Sequence, residues 1–128
     1  MKVLTLREAY SVNNLRRAWR WLNTNTESQF KNYFREIYRV YTISIDKNLE
    51  DLNQRLTAGT YKPAHATKLY FPKKSGIQRT FSLLTVEDQI VYQALVNMIA
   101  EKFLPKIRKD YYQSVFSNVY TGTRSKYF

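Results

Sequence analysis

The segment from Thr85 to Phe103 limits the fold more than any other part of the chain. Ile90, Val91, Ala94, Leu95, Met98, Ile99 and Phe103 recur at helical spacing and give a broad apolar face over about 18 residues. The segment has almost no basic residue in a chain of net charge +11, so it belongs in the core. Thr85-Val-Glu-Asp88 opens it as an acidic capping box, with Asp88 as the N3 residue. Pro105 is expected to end it.

Three shorter helices are expected upstream. Ser11 is a natural N-cap for a helix to about Leu22. Leu15, Ala18, Trp19 and Leu22 face its core side, while Arg16, Arg17 and Arg20 point outward. After the polar break 23–28, a second helix runs from about Glu27 to Tyr41. Its apolar stripe is Phe30, Tyr33/Phe34, Ile37 and Tyr38/Tyr41. Lys31, Arg35 and Arg39 stand four apart on it and form a basic ridge. Leu49, Leu52 and Leu56 mark a third helix, and Gly59 is its stop.

The character then changes. Pro63, Pro72 and Gly76 punctuate β-branched and aromatic residues. Residues 66–72 and 77–83 read as two strands joined by a lysine-rich turn. The fold class is therefore mainly α with a small antiparallel β-hairpin, an α+β arrangement. At 15.3 kDa there is room for one compact domain. Within it, residues 1–45 form a basic helical extension. Residues 46–104 hold a helix, the hairpin 66–83 and the long helix 85–104. Residues 105–128 are an aromatic, polar tail.

Charge comes in blocks. Residues 61–79 hold 5 basic residues and no acid, whereas 80–101 hold 3 acids and no basic residue. Aromatics reach 16%, with 11 Tyr. A small domain with this field and these rings points to nucleic acid, because Lys and Arg neutralise phosphates while aromatic faces stack bases. The plainer reading of the arginine faces is solvated charge. No apolar run reaches the roughly 18 residues of a membrane span, so a membrane partner is not expected and the compartment is read as cytoplasmic.

Catalytic sets are hard to build. Cys is absent and His65 is the only histidine, which excludes thiolate zinc sites, Cys nucleophiles and a specific Ser-His-Asp set. Gly59, Gly76 and Gly122 are the only glycines, so no P-loop exists. Glu50–Asp51 and Glu87–Asp88 are neighbours on helices and diverge, so neither makes a two-metal site. What remains is phosphate binding. Lys73 and Lys74 lie at the hairpin turn, and the hairpin brings Arg79 back toward Lys73. Cations beside turn N–H groups can grip a polyphosphate. The same lysines also suit the protection of an edge strand.

Three runs of residues resemble the fingers region of bacterial reverse transcriptases. They are Leu56-x-x-Gly59-x-Tyr61-x-Pro63, then Phe71-Pro72-Lys73-x-x-Gly76-x-x-Arg79, then Leu83-x-Thr85-Val86-x-Asp88-x-Ile90-Val91-x-Gln93-Ala94-Leu95. The nearest styles are the group II intron and the abortive-infection, phage-defence types. Leu84 stands where relatives often have Pro, Gln89 where many have Arg, and Ser117-Asn118-Val119 where an aromatic-Arg element is usual. These departures favour the defence type.

The resemblance implies a reverse transcriptase fingers subdomain, part of an RNA-directed DNA polymerase. Lys73 and Arg79 would contact the triphosphate of an incoming dNTP, with Lys74 the weaker candidate. Phe81, Leu83 and Leu84 would lie under the templating base. Arg16, Arg17, Arg20, Lys31, Arg35 and Arg39 are candidate contacts to nucleic-acid phosphates. The partners would be an RNA or DNA template-primer, dNTP, and palm and thumb domains, with a homo-oligomer as a further option. Magnesium is expected only in a complete enzyme with its palm, and no cofactor or metal in this chain. There is no Asp-Asp pair, and the chain stops at its Arg124–Phe128 end where a palm would begin, so it is expected not to polymerise alone. The alternatives are a non-catalytic module for single-stranded nucleic acid, or an oligomerisation domain of a phage-defence reverse transcriptase.

Overall fold

The structure is a computed structural model, and it describes residues 5–24 and 29–114. Among the described residues, five helices and one two-stranded antiparallel sheet make an α+β fold that is mainly helical. The helices are α1 (Leu6–Ala9), α2 (Val12–Thr24), α3 (Gln29–Ile43), α4 (Ile45–Ala58) and α5 (Val86–Ser114). The strands β1 (Thr67–Pro72) and β2 (Gln78–Leu83) lie between α4 and α5.

Local chemistry explains most boundaries. The Ser11 hydroxyl accepts from the Asn14 N–H at 3.3 Å and caps α2 as expected. Gly59 ends α4 in the left-handed region at φ 72°. There the Thr60 and Gly59 amides donate to the carbonyls of Arg55 and Leu56, which is a Schellman ending. The Thr85 hydroxyl accepts from the Asp88 N–H at 3.2 Å at the start of α5.

One buried cluster joins every main element. It contains Leu15, Ala18 and Trp19 of α2, Phe34 and Tyr38 of α3, and Leu49, Leu52 and Leu56 of α4. Leu83 of β2 and Val86, Ile90 and Ala94 of α5 complete it. Trp19 meets Tyr38 edge-on, with ring centroids 5.7 Å apart. The cluster draws on both sides of residue 45, so the N-terminal helices and the hairpin-bearing half share one core. Helix α5 runs through the middle, against α1, α2 and α3.

Four expectations need correction. First, α5 does not stop at Pro105 but continues through it. A proline in a helix interior removes one N–H and crowds the preceding turn without always ending it. Second, Ile99 and Phe103 are exposed rather than core, at 52% and 45%. Ile99 lies nine residues from Ile90, about 180° around a helix, so the two cannot face the same neighbours. The buried stripe instead includes Gln89, Gln93 and Asn97. Third, Ile37 is half exposed at 49%, because α3 packs through Phe34, Tyr38 and Tyr41. Fourth, a short helix, α1, precedes α2. Asn14 ties them together: its amide donates to the Ala9 carbonyl at 2.8 Å and to the Ala94 carbonyl of α5 at 3.0 Å.

The hairpin matches expectation to within a residue at each strand start. Its register pairs Thr67 with Leu83, Leu69 with Phe81 and Phe71 with Arg79. No helix among the described residues is long and apolar enough to cross a membrane.

Candidate nucleotide and nucleic-acid interface

The hairpin tip is built by one glycine. Gly76 stands at φ 83°, where any Cβ is strained, although the space around it is open. Its N–H donates to the Lys73 carbonyl at 3.0 Å, and the Lys73 N–H donates to the Ile77 carbonyl at 2.8 Å. This is a short loop closed by a left-handed glycine. Two turn amides are thus engaged by the turn itself, so a ligand here meets side chains first.

Strand alternation assigns those side chains to faces. Leu69, Phe71, Phe81 and Leu83 share the face turned toward the helices, and Leu83 is buried in the core. Arg79 is on that same face, opposite Phe71 in the register. Lys73 follows β1 directly, and its N–H bond to the Ile77 carbonyl opens the turn. Phe71 and Phe81 meet edge-on at 5.2 Å, and the Arg79 guanidinium lies 6.0 Å from the centroid of the Phe81 ring. The contact is at the outer limit of a cation–π pair and takes up none of the guanidinium N–H groups. Among the described residues no carboxylate pairs with Lys73, Lys74 or Arg79, and all three are exposed.

The hairpin's base is held by two neighbours on α5. The Asp88 carboxylate accepts from the Tyr61 hydroxyl and, at 3.0 Å, from the Ala64 N–H. The Gln89 amide donates to the Leu84 carbonyl at 2.9 Å, and its oxygen accepts from the Tyr38 hydroxyl at 2.5 Å. Asp88 thus grips the chain entering the hairpin and Gln89 the chain leaving it. Burial pushes the Tyr38 hydroxyl above its ordinary range, while its bond to Gln89 acts in the opposite direction. Next to this pair, Glu87 takes a two-pronged bond from Arg55, at 2.6 and 3.0 Å. Arg55 also reaches Asp51 at 2.8 Å. The Glu87 bond is the largest cause of a guanidinium held still more firmly protonated than usual.

The other site candidates separate. Leu83 is buried in the core, with its side chain packed among Val86 and Ile90 of the same cluster. Leu84 is half-buried and engaged through its carbonyl, and Phe81 is half-buried against Phe71. Arg16 is paired with Asp46 and Arg17 with Glu101, each at 2.5 Å, and Arg39 with Glu36 at 2.9 Å. Arg20 and Arg35 are exposed. The Lys31 side chain and the 115–128 tail, with its Ser117-Asn118-Val119 element, lie outside the described residues. Among the described residues no group of three or more His, Cys, Asp or Glu could hold a metal ion.

Sequence reasoning missed Asp88 as a tether, reading it as a helix-end residue only. It also missed Asn14, Gln93 and Asn97. Gln93 donates to Asn97 at 3.0 Å, and their spacing of four was the signal available. Comparison with protein-family models, with curated proteins and with solved structures finds no match to this chain.

Proposed function

We propose that this chain is the fingers region of an RNA-directed DNA polymerase of phage-defence type, binding the triphosphate of an incoming dNTP at the hairpin tip. The observation that supports this reading is a division of labour within the motif residues. Leu56 and Leu83 are in the core, Gly59 and Gly76 supply left-handed turns, and Thr85 caps α5. Tyr61 and Asp88 bond to each other. Each therefore has a structural task. Lys73 has no side-chain task of that kind, and Arg79 has only the Phe81 ring beneath it. Both lie at or beside a tip without acids, Lys73 in the turn and Arg79 on β2. A guanidinium chelates phosphate oxygens in two-pronged fashion, and an ammonium adds a point charge. In phosphoryl transfer such groups position and neutralise. In this reading the magnesium ions and the carboxylates that hold them belong to a palm, and this segment binds without catalysing.

The test is paired binding. dATP with magnesium and a single-stranded oligonucleotide are titrated separately into the chain and into Arg79→Ala. Loss of triphosphate binding with oligonucleotide binding nearly unchanged supports the reading. Equal loss of both favours the second reading, a non-catalytic module for single-stranded nucleic acid. The exposed cations Arg20 and Arg35 on α2 and α3 speak for that second reading.

A further inference from the structure

The hairpin has a second face, and nothing in the triphosphate reading uses it. Lys68, Tyr70 and Pro72 alternate on β1; Gln78, Thr80 and Ser82 alternate on β2. The register sets Lys68 opposite Ser82, Tyr70 opposite Thr80 and Pro72 opposite Gln78. All six are exposed. Tyr70 is 60% exposed, an aromatic ring at the centre of a sheet face that no helix among the described residues covers.

We infer that this outer face is a binding platform for single-stranded nucleic acid, with one base stacked on Tyr70 and the adjoining phosphate held by Lys68. Three observations carry it. The side chains across from the ring are short: Thr80 and Ser82 leave room for a base to lie on Tyr70, and they supply hydroxyls to its edge. Residues 61–79 hold 5 basic residues and no acid, so the field at the ring suits a polyanion and opposes an acidic protein surface. The opposite face is anchored through Leu69 and Leu83, and the base of the hairpin through Asp88 and Gln89. The platform is therefore held in place before any ligand arrives. Stacking tolerates every base, so the site reads single-strandedness rather than sequence. This site is separate from Lys73 and Arg79 and does not depend on the triphosphate reading.

The experiment uses the whole chain and a 15-nucleotide oligo-dT, followed by fluorescence anisotropy at several salt concentrations. Tyr70→Ala is expected to weaken binding by about fivefold or more, because base–aromatic stacking contributes on that scale. The salt slope should not change, since Tyr70 neutralises no phosphate. Tyr70→Trp should restore binding or improve it. Lys68→Ala should instead lower the log–log salt slope by about 0.7, the value of one neutralised single-strand phosphate. An abasic strand of the same length should bind the chain and Tyr70→Ala equally, and a duplex should show no Tyr70 effect. Wild-type affinity in Tyr70→Ala overturns the proposal, as does an equal Tyr70 effect on the abasic strand. No measurable oligo-dT binding by the unmodified chain also overturns it. In each of these outcomes the Arg79 dependence of dATP binding still stands or falls separately.

Discussion

Tyr61 donates its hydroxyl to the carboxylate of Asp88, 27 residues further along, and the same carboxylate takes the Ala64 N–H at 3.0 Å. One side chain on the first turn of α5 therefore fixes the loop that leads from α4 into the hairpin. Asp88 is buried, so its charge is stabilised by these two donors and by its place at the N-terminus of α5 rather than by water.

Breaking this tether should cost stability out of proportion to one surface contact. Asp88→Ala removes the acceptor of a half-buried hydroxyl and of a more exposed amide, and a destabilisation of about 1 to 2 kcal/mol is expected. Tyr61→Phe should cost less. Urea denaturation of both single variants and the double variant measures the coupling. A double variant whose destabilisation equals the sum of the singles would show that the two groups do not act together.

The exposed arginines should divide by their partners. Arg16 and Arg17 are held by Asp46 and Glu101. Arg20 and Arg35 have no ion pair among the described residues. Arg20→Ala or Arg35→Ala should lower the salt slope of oligonucleotide binding by about 0.7 for each phosphate that the side chain neutralises. Arg16→Ala should leave the slope nearly unchanged. Stability should change by less than about 1 kcal/mol in all of them, since the pairs are exposed. A larger slope change at Arg16 than at Arg20 would reverse the assignment.

Tyr41 carries a pH signature. Its hydroxyl is buried without a hydrogen-bond partner and is pushed up to about 12, first by burial and then by the charge of Glu87. The folded state thus holds this proton more tightly than the unfolded chain, whose tyrosine ionises near about 10. The stabilisation is complete below that value and is lost as pH rises toward about 12. Tyr41→Phe should be neutral or stabilising at pH 7, by up to about 1 kcal/mol, because an unpaired buried hydroxyl is removed. Stability curves from pH 9 to 12 should fall less steeply in the variant. A steeper fall would contradict the assignment.

Pro105 should be a cost within α5. Its missing N–H leaves one carbonyl of the preceding turn without its helical donor. Pro105→Ala is expected to raise helical content by circular dichroism and to stabilise the chain by about 1 to 3 kcal/mol. Lower helicity in the variant would contradict this cost.

The elements that were legible in the sequence are those whose signals are local. Leu49, Leu52 and Leu56 lie on one face by spacing alone, and Gly59 can end their helix because glycine takes φ 72° without strain. Pro72 and Gly76 bracket a turn through their own backbone preferences, and a hairpin there brings Arg79 back toward Lys73. Tertiary structure decided the rest. An apolar residue such as Ile99 fits a core by its chemistry, but whether a neighbour covers its side of α5 depends on where α2 and α3 stop. Asp88 looks like an ordinary helix-start acid until the fold brings Tyr61 and Ala64 beside it. Lys73 and Arg79 could be assigned to phosphate or to edge protection while they were only letters. The fold leaves both exposed at a tip without acids, which suits either role. Local spacing determines which way a side chain points from its own backbone; only packing of distant segments determines what it meets there.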